Sequence, residues 1–165
     1  MDIHKLSDEY TVRRMTEADI DSILDFCLPH TLFYSVCGQK LTREDILNDL
    51  ALTPPGIELK DKYYVGFFDE DGLAAVLDLI DGYPKKGEAF IGFFMVACRL
   101  EGRGVGSRII DRVLSYLRQQ GFTACHLGID KENPQSNRFW RKNGFAVERE
   151  VQQERGVILY ASRCF

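Results

Sequence analysis

Three alternating glycines, Gly102, Gly104 and Gly106, stand between an apolar stretch at 90–96 and an amphipathic one at 107–120. No other part of the chain constrains its fold as much. The pattern reads as a strand, a tight turn and a helix N-terminus. The first turn of a helix leaves backbone N–H groups unpaired and carries the positive end of the macrodipole. Glycine admits positive φ and lets a ligand come close to the backbone. Such a turn suits a phosphate or a pyrophosphate.

The flanking periodicities place this turn within a longer pattern. Residues 10–15 have strand composition. Thr16-Glu17-Ala18-Asp19 then opens a helix, with Thr16 as N-cap, an acid at N3 and a stripe of Ile20, Ile23, Leu24 and Cys27. Thr42-Arg43-Glu44-Asp45 repeats that signal ahead of Ile46, Leu47 and Leu50. Residues 63–68 and 73–80 flank an acidic turn and read as a hairpin. Residues 88–96 are apolar on both faces and read as a central strand. Ile109, Ile110, Val113, Leu114 and Leu117 form one face of the helix after the glycines, and Gly121 ends it. A strand at 124–129 follows, then a short helix opened by Asn133-Pro134 and closed by Gly144, then a hairpin over 145–161. The order is β-α-α-β-β-β-α-β-α-β-β, an α/β chain. At 165 residues it is expected to form a single domain, 1–165, with its core at about 10–161.

A formal charge of −4 gives no bulk attraction to nucleic acid or to an acidic membrane and weakly favours a cationic partner. The five cysteines are odd in number and form no CxxC pair, so reduced thiols in a cytoplasmic protein are expected. The first residues lack the apolar core of a signal peptide, and no apolar run has spanning length. His4, His30 and His126 share no ligand spacing, and no metal is expected.

A dinucleotide fold would place its glycine turn after the first strand of a βαβ unit. Here the turn follows a meander. A phosphate loop of the Walker type is excluded, because no Gly-Lys-Ser/Thr follows. The chain instead resembles the Gcn5-related N-acetyltransferases through two motifs. Glu101-Gly102-Arg103-Gly104-Val105-Gly106 is similar to that family's Gln/Arg-x-x-Gly-x-Gly/Ala loop. The run from Asn133 to Phe145, with Phe139-Trp140 and Lys142-Asn143-Gly144-Phe145, is similar to its Asn-x-x-Ala-x-x-Phe-Tyr-x-Lys-x-Gly-Phe box. The resemblance implies a mixed, mostly antiparallel sheet flanked by helices, with acetyl-CoA as cosubstrate.

On that resemblance, Glu101, Gly102, Arg103, Gly104, Val105, Gly106 and Ser107 hold the pyrophosphate, with Ser107 as N-cap. The pantetheine lies between two splayed strands, lined by Asn133, Phe139 and Trp140. A backbone N–H near Met95 or Val96 polarises the thioester. The implied reaction is direct acetyl transfer to a primary amine of a small molecule or peptide. Glu88 and Asp78 are the candidate bases. The plainer reading of each is a solvated carboxylate. Residues 29–40, with Phe33 and Tyr34, are expected to wall the acceptor, and a homodimer is compatible with family habit.

Three departures stand out. Trp140 occupies the position of the family's Tyr acid, and an indole N–H does not give up its proton at working pH. Tyr83, Tyr34 and Cys125 are the candidate replacements. Glu101 replaces a Gln or Arg beside the phosphates, and Cys98 stands where a Pro is common. The departure at Trp140 supports an alternative, a non-catalytic acyl-CoA-binding sensor.

Overall fold

The computed structural model describes residues 1–31, 41–154 and 156–165. A seven-stranded sheet organises them, formed by β1 (Thr11–Arg14), β2 (Lys62–Asp69), β3 (Gly72–Asp81), β4 (Glu88–Val96), β5 (Ala124–Asp130), β6 (Ala146–Gln153) and β7 (Gly156–Cys164). The spatial order is β1-β2-β3-β4-β5-β7-β6. All neighbours are antiparallel except β4 and β5. A parallel pair needs a crossover, and a helix supplies it here. Among the described residues the α-helices are α1 (Ile20–Cys27), α2 (Arg43–Ala51), the crossover helix α3 (Val105–Gln119) and α4 (Pro134–Lys142). Among the described residues the helices and strands follow the expected order, with short 3-10 turns added. The acceptor-wall residues Phe33 and Tyr34 lie outside the described residues.

Strand alternation divides the core between two faces. On one, Leu77, Leu79, Ile91 and Leu127 pack with Ile110 and Val113 of α3 and Trp140 of α4. On the other, Tyr64, Val76 and Met95 pack with Ile23 and Cys27 of α1 and Ile46 of α2. The β3–β4 register slips at Gly92, so that Asp78 pairs with Phe93 while Leu79 pairs with Ile91. This extra residue reverses the alternation of β4. Glu88 and Phe90 before the bulge and Phe93 and Met95 after it therefore share the α1–α2 face.

Local signals act as their chemistry requires. Asp19 accepts from the N–H of Thr16 at 2.9 Å and also binds Arg13 through both carboxylate oxygens, at 2.7 and 3.0 Å. Gly121, at φ +84°, ends α3 with bonds from Gly121 N–H to Arg118 O and from Phe122 N–H to Leu117 O. Packing reaches past 10–161 at both ends. Leu6 is fully buried, the Asp2 N–H donates to Tyr116 Oη at 2.8 Å, and β7 runs to Cys164. Among the described residues, no helix is long and apolar enough to cross a membrane.

Candidate active site

Strands β4 and β5 pair only from Glu88–Ala124 to Ile91–Leu127 and then part. A cavity of about 570 Å³ opens beside the free end of β4, bounded by the N-terminus of α3 and by α4. Met95, Val96, Glu101, Gly102, Gly104, Val105, Gly106, Ser107, Asn133, Phe139 and Trp140 all line it. Arg103 is exposed on the same loop but is not among its lining residues. Sequence reasoning missed Phe94, Ser136 and Lys142 in the lining. Phe94 stacks on Phe139 with ring centroids 5.9 Å apart, a contact that becomes visible only when strand and helix meet.

The helix N-terminus differs from expectation in one respect. The N-cap of α3 is Gly104, at φ +74°, and Ser107 already lies in the first turn. The left-handed backbone at Gly104 starts the helix early, and the first closing bond runs from Arg108 N–H to Gly104 O at 3.1 Å. The N–H groups of Val105, Gly106 and Ser107 thus precede the first intrahelical partner and stand at the cavity. Gly106 is required by close approach, because a Cβ there would lie 3.1 Å from Phe139 and 3.2 Å from Val96. Asn133 caps α4 by accepting from Ser136 N–H at 2.9 Å, while its side chain also lines the cavity. The cap and the cavity wall are one residue.

The α1–α2 face of the sheet carries the titratable groups. Asp78 and Glu88 are 6 % and 7 % exposed, so neither is the solvated carboxylate of the plain sequence reading. Asp78 Oδ2 accepts from Lys62 Nζ at 2.7 Å, whereas its Oδ1 is buried without a hydrogen-bond partner among the described residues. Burial raises the Asp78 carboxyl above its ordinary range, against the opposing pull of Lys62. Glu88 Oε2 lies 3.0 Å from His126 Nε2, and Oε1 lies 3.2 Å from Lys85 Nζ. His126 and Phe90 are register partners across β4 and β5. Tyr83 packs edge-on against Phe90, with centroids 5.4 Å apart, and Tyr160 packs against both Phe90 and His126. The structure therefore brings the predicted Glu88, Asp78 and Tyr83 to one face. It adds Lys62, His126 and Tyr160, which no local sequence signal distinguishes.

Cys125 is no proton donor for this face. It points to the opposite, α3 face, and burial pushes its thiol up to about 12. Trp140 is 7 % exposed and packed edge-on against Phe139 and Phe145, an apolar setting with no proton to deliver. Glu101 does not face the glycines freely. Its Oε1 lies 3.2 Å from His30 Nδ1. Burial lowers the His30 pKa, against the opposing pull of Glu101.

A parted parallel pair that ends on a glycine-started helix defines the class of fold, and comparison with known proteins agrees. The sequence profile of the Acetyltransferase (GNAT) family matches residues 25–145, and the chain belongs to that family. No curated protein matches it by sequence. Among solved structures, an acetyltransferase from Thermus thermophilus is similar at TM-score 0.73 and 21 % identity, over 93 % of this chain and 96 % of that one. Ard1 from Thermoplasma volcanium is similar at TM-score 0.66 and 22 % identity, over 94 % and 97 %. AAC(6')-Ib, solved in complex with ribostamycin and coenzyme A, is similar at TM-score 0.70 and 15 % identity, over 95 % and 94 %. At these identities the likeness is one of fold.

Proposed function

We propose that this chain is an N-acetyltransferase that moves the acetyl group of acetyl-CoA to a primary amine by direct attack. The observation that carries this reading is the cavity beside the free end of β4. It is bounded at one end by the unpaired N–H groups of Val105, Gly106 and Ser107, and it has apolar aromatic walls. A diphosphate fits the first feature and a pantetheine arm the second. A backbone N–H of the unpaired end of β4, at Met95 or Val96, polarises the thioester carbonyl. Such a preorganised donor lowers a barrier by about 3 kcal/mol.

The amine approaches from the α1–α2 face, where Asp78, Glu88 and Tyr83 stand. Asp78 keeps one desolvated carboxylate oxygen, Oδ1, without a hydrogen-bond partner among the described residues, while Oδ2 is held by Lys62 beside Gly92, and this suits Oδ1 to take the proton that frees the substrate amine for attack. Glu88, hydrogen-bonded to His126 on the same face, is the second candidate base. Nitrogen attacks the carbonyl carbon, the C–S bond breaks, and the thiolate takes a proton from the substrate nitrogen or from Tyr83. These carboxylates favour a cationic acceptor such as a polyamine, an amino sugar or a peptide N-terminus. The parting of β4 and β5 supports acyl-CoA binding whether or not transfer follows.

The test has two stages. Thermal unfolding is measured with acetyl-CoA, NAD and ATP. A ligand at about 100 times its Kd stabilises by about 2.7 kcal/mol. A shift with acetyl-CoA alone is expected. Thiol release is then followed with a panel of amines. Binding without release above the blank for any amine would establish the sensor reading instead.

A further inference from the structure

Two departures from the family pattern, Cys98 and Glu101, have no part in the reaction above. They meet at one point with His30, a residue 68 positions from Cys98 in sequence. Cys98 lies in a single 3-10 turn, Cys98–Leu100, and Glu101 caps that turn by donating its N–H to Cys98 O at 3.2 Å. In 3-10 geometry side chains at i and i+3 eclipse, so the thiol and the carboxylate emerge on the same side. His30 follows the C-terminus of α1, anchored by its own N–H to Cys27 O at 3.0 Å. Its side chain is 8 % exposed.

We propose that His30, Cys98 and Glu101 form a binding site for a zinc-class divalent metal ion at the mouth of the cavity. The convergence of three ligand side chains carries the assignment. Cys98 Sγ is 3.6 Å from both ring nitrogens of His30 and Glu101 Oε1 is 3.2 Å from Nδ1, so a turn of the imidazole aims one nitrogen at a point shared with the thiol and the carboxylate. Tetrahedral zinc with ordinary bond lengths sets its sulfur and nitrogen ligands about 3.6 Å apart and its nitrogen and oxygen ligands about 3.3 Å apart. All three ligand atoms lie within 4.8 Å of one another, and the half-exposed Glu101 closes the remaining gap by side-chain rotation. Thiolate and imidazole together select zinc over magnesium or calcium. All three residues line the cavity, so the fourth coordination position opens toward it.

Binding exchanges the Cys98 thiol proton for the metal and releases that proton to solvent. A thiolate, a carboxylate and a neutral imidazole around a divalent ion sum to zero charge. The Glu101 carboxylate then no longer opposes an anion at the N-terminus of α3. The spacing of the histidines in sequence hid this group, because each ligand comes from a different part of the chain or from a single turn. The site requires no acetyl transfer, and its test reads the metal directly.

The full chain is stripped with a chelator, kept reduced with a phosphine and titrated with Co²⁺, then with Zn²⁺. One Co²⁺ per chain is expected, with a thiolate-to-metal charge-transfer band that Zn²⁺ bleaches. Cys98→Ser abolishes the band, while Cys164→Ser, at an exposed cysteine on the far end of β7, retains it. His30→Ala and Glu101→Gln each weaken binding by more than the roughly 10- to 100-fold that loss of a supporting partner costs. Circular dichroism confirms that each variant is folded. A band that fails to form in the wild-type chain, or one that persists in Cys98→Ser, overturns the proposal.

Discussion

The carboxylate of Asp78 lies across the backbone of Gly92, in the space that a Cβ at that position would fill. The bulge at Gly92 and the burial of Asp78 are therefore one feature. The missing side chain on β4 admits a charged group from β3 into the α1–α2 face. The same bulge turns Phe93 and Met95 toward that face.

Gly92→Ala tests this relationship. The added methyl displaces the carboxylate and disturbs its 2.7 Å bond to Lys62. Overpacking of this kind costs about 1–3 kcal/mol. Each kcal/mol lowers the melting temperature of a domain of this size by about 2–4 °C. A melting temperature equal to that of the wild type would show that Asp78 has room to turn aside.

The pH profile of acetyl transfer follows from Asp78. Burial raises its carboxyl, so it ionises above the ordinary carboxylate range and works as a base only above that raised value. The rate is expected to fall on the acid side through this pKa. Asp78→Asn is expected to lower kcat by about 10²–10⁴-fold and to remove that acid limb. An acid limb that survives in Asp78→Asn and disappears in Glu88→Gln would move the base to Glu88.

Asp19 has the opposite sign. Its hydrogen bonds from Arg13 hold the carboxyl down to about 2. The stabilisation is complete above the ordinary carboxylate range and is lost as pH falls through about 2. Asp19→Ala removes both this pair and the cap at Thr16, and is expected to cost about 0.5–2 kcal/mol at neutral pH. Urea unfolding at neutral pH and at pH about 2 measures both values, and the difference between wild type and variant should shrink in acid.

Gly106→Ala places a methyl between Phe139 and Val96, at 3.1 and 3.2 Å. Both side chains line the cavity, and the helix N-terminus must move away from them. Loss of one charge-assisted bond costs about 1.5–3 kcal/mol. Calorimetric titration with CoA is expected to show roughly 10- to 100-fold weaker binding.

Trp140 separates packing from proton transfer. Trp140→Phe keeps an aromatic group against Phe139 and Phe145 and is expected to leave kcat within about twofold, because the indole supplies no proton. Trp140→Ala opens a cavity in the core and is expected to cost about 3–5 kcal/mol. A collapse of kcat in a folded Trp140→Phe variant would show that the indole N–H acts in the reaction.

The signals that were legible in sequence are local ones. Thr16 and Asp19, Thr42 and Asp45, and Gly121 announce helix ends through bonds to backbone a few residues away, and the structure shows those bonds. The glycine loop was equally legible, except that a left-handed Gly104 caps the helix in place of Ser107. The burial of Asp78 and Glu88 was hidden. A carboxylate in a strand reads as solvated until its partner is known, and Lys62 and His126 come from other strands.

Sequence alone determined the element order and the anion-favouring turn, because periodicity, capping and positive φ are properties of neighbouring residues. The tertiary structure decided which charges meet. The slip at Gly92 sets the face of Asp78, the parting of β4 from β5 opens the cavity, and the approach of α1 to the turn after β4 brings His30 to Cys98 and Glu101. These relations depend on register and on contacts across distant segments. No window along the chain contains them.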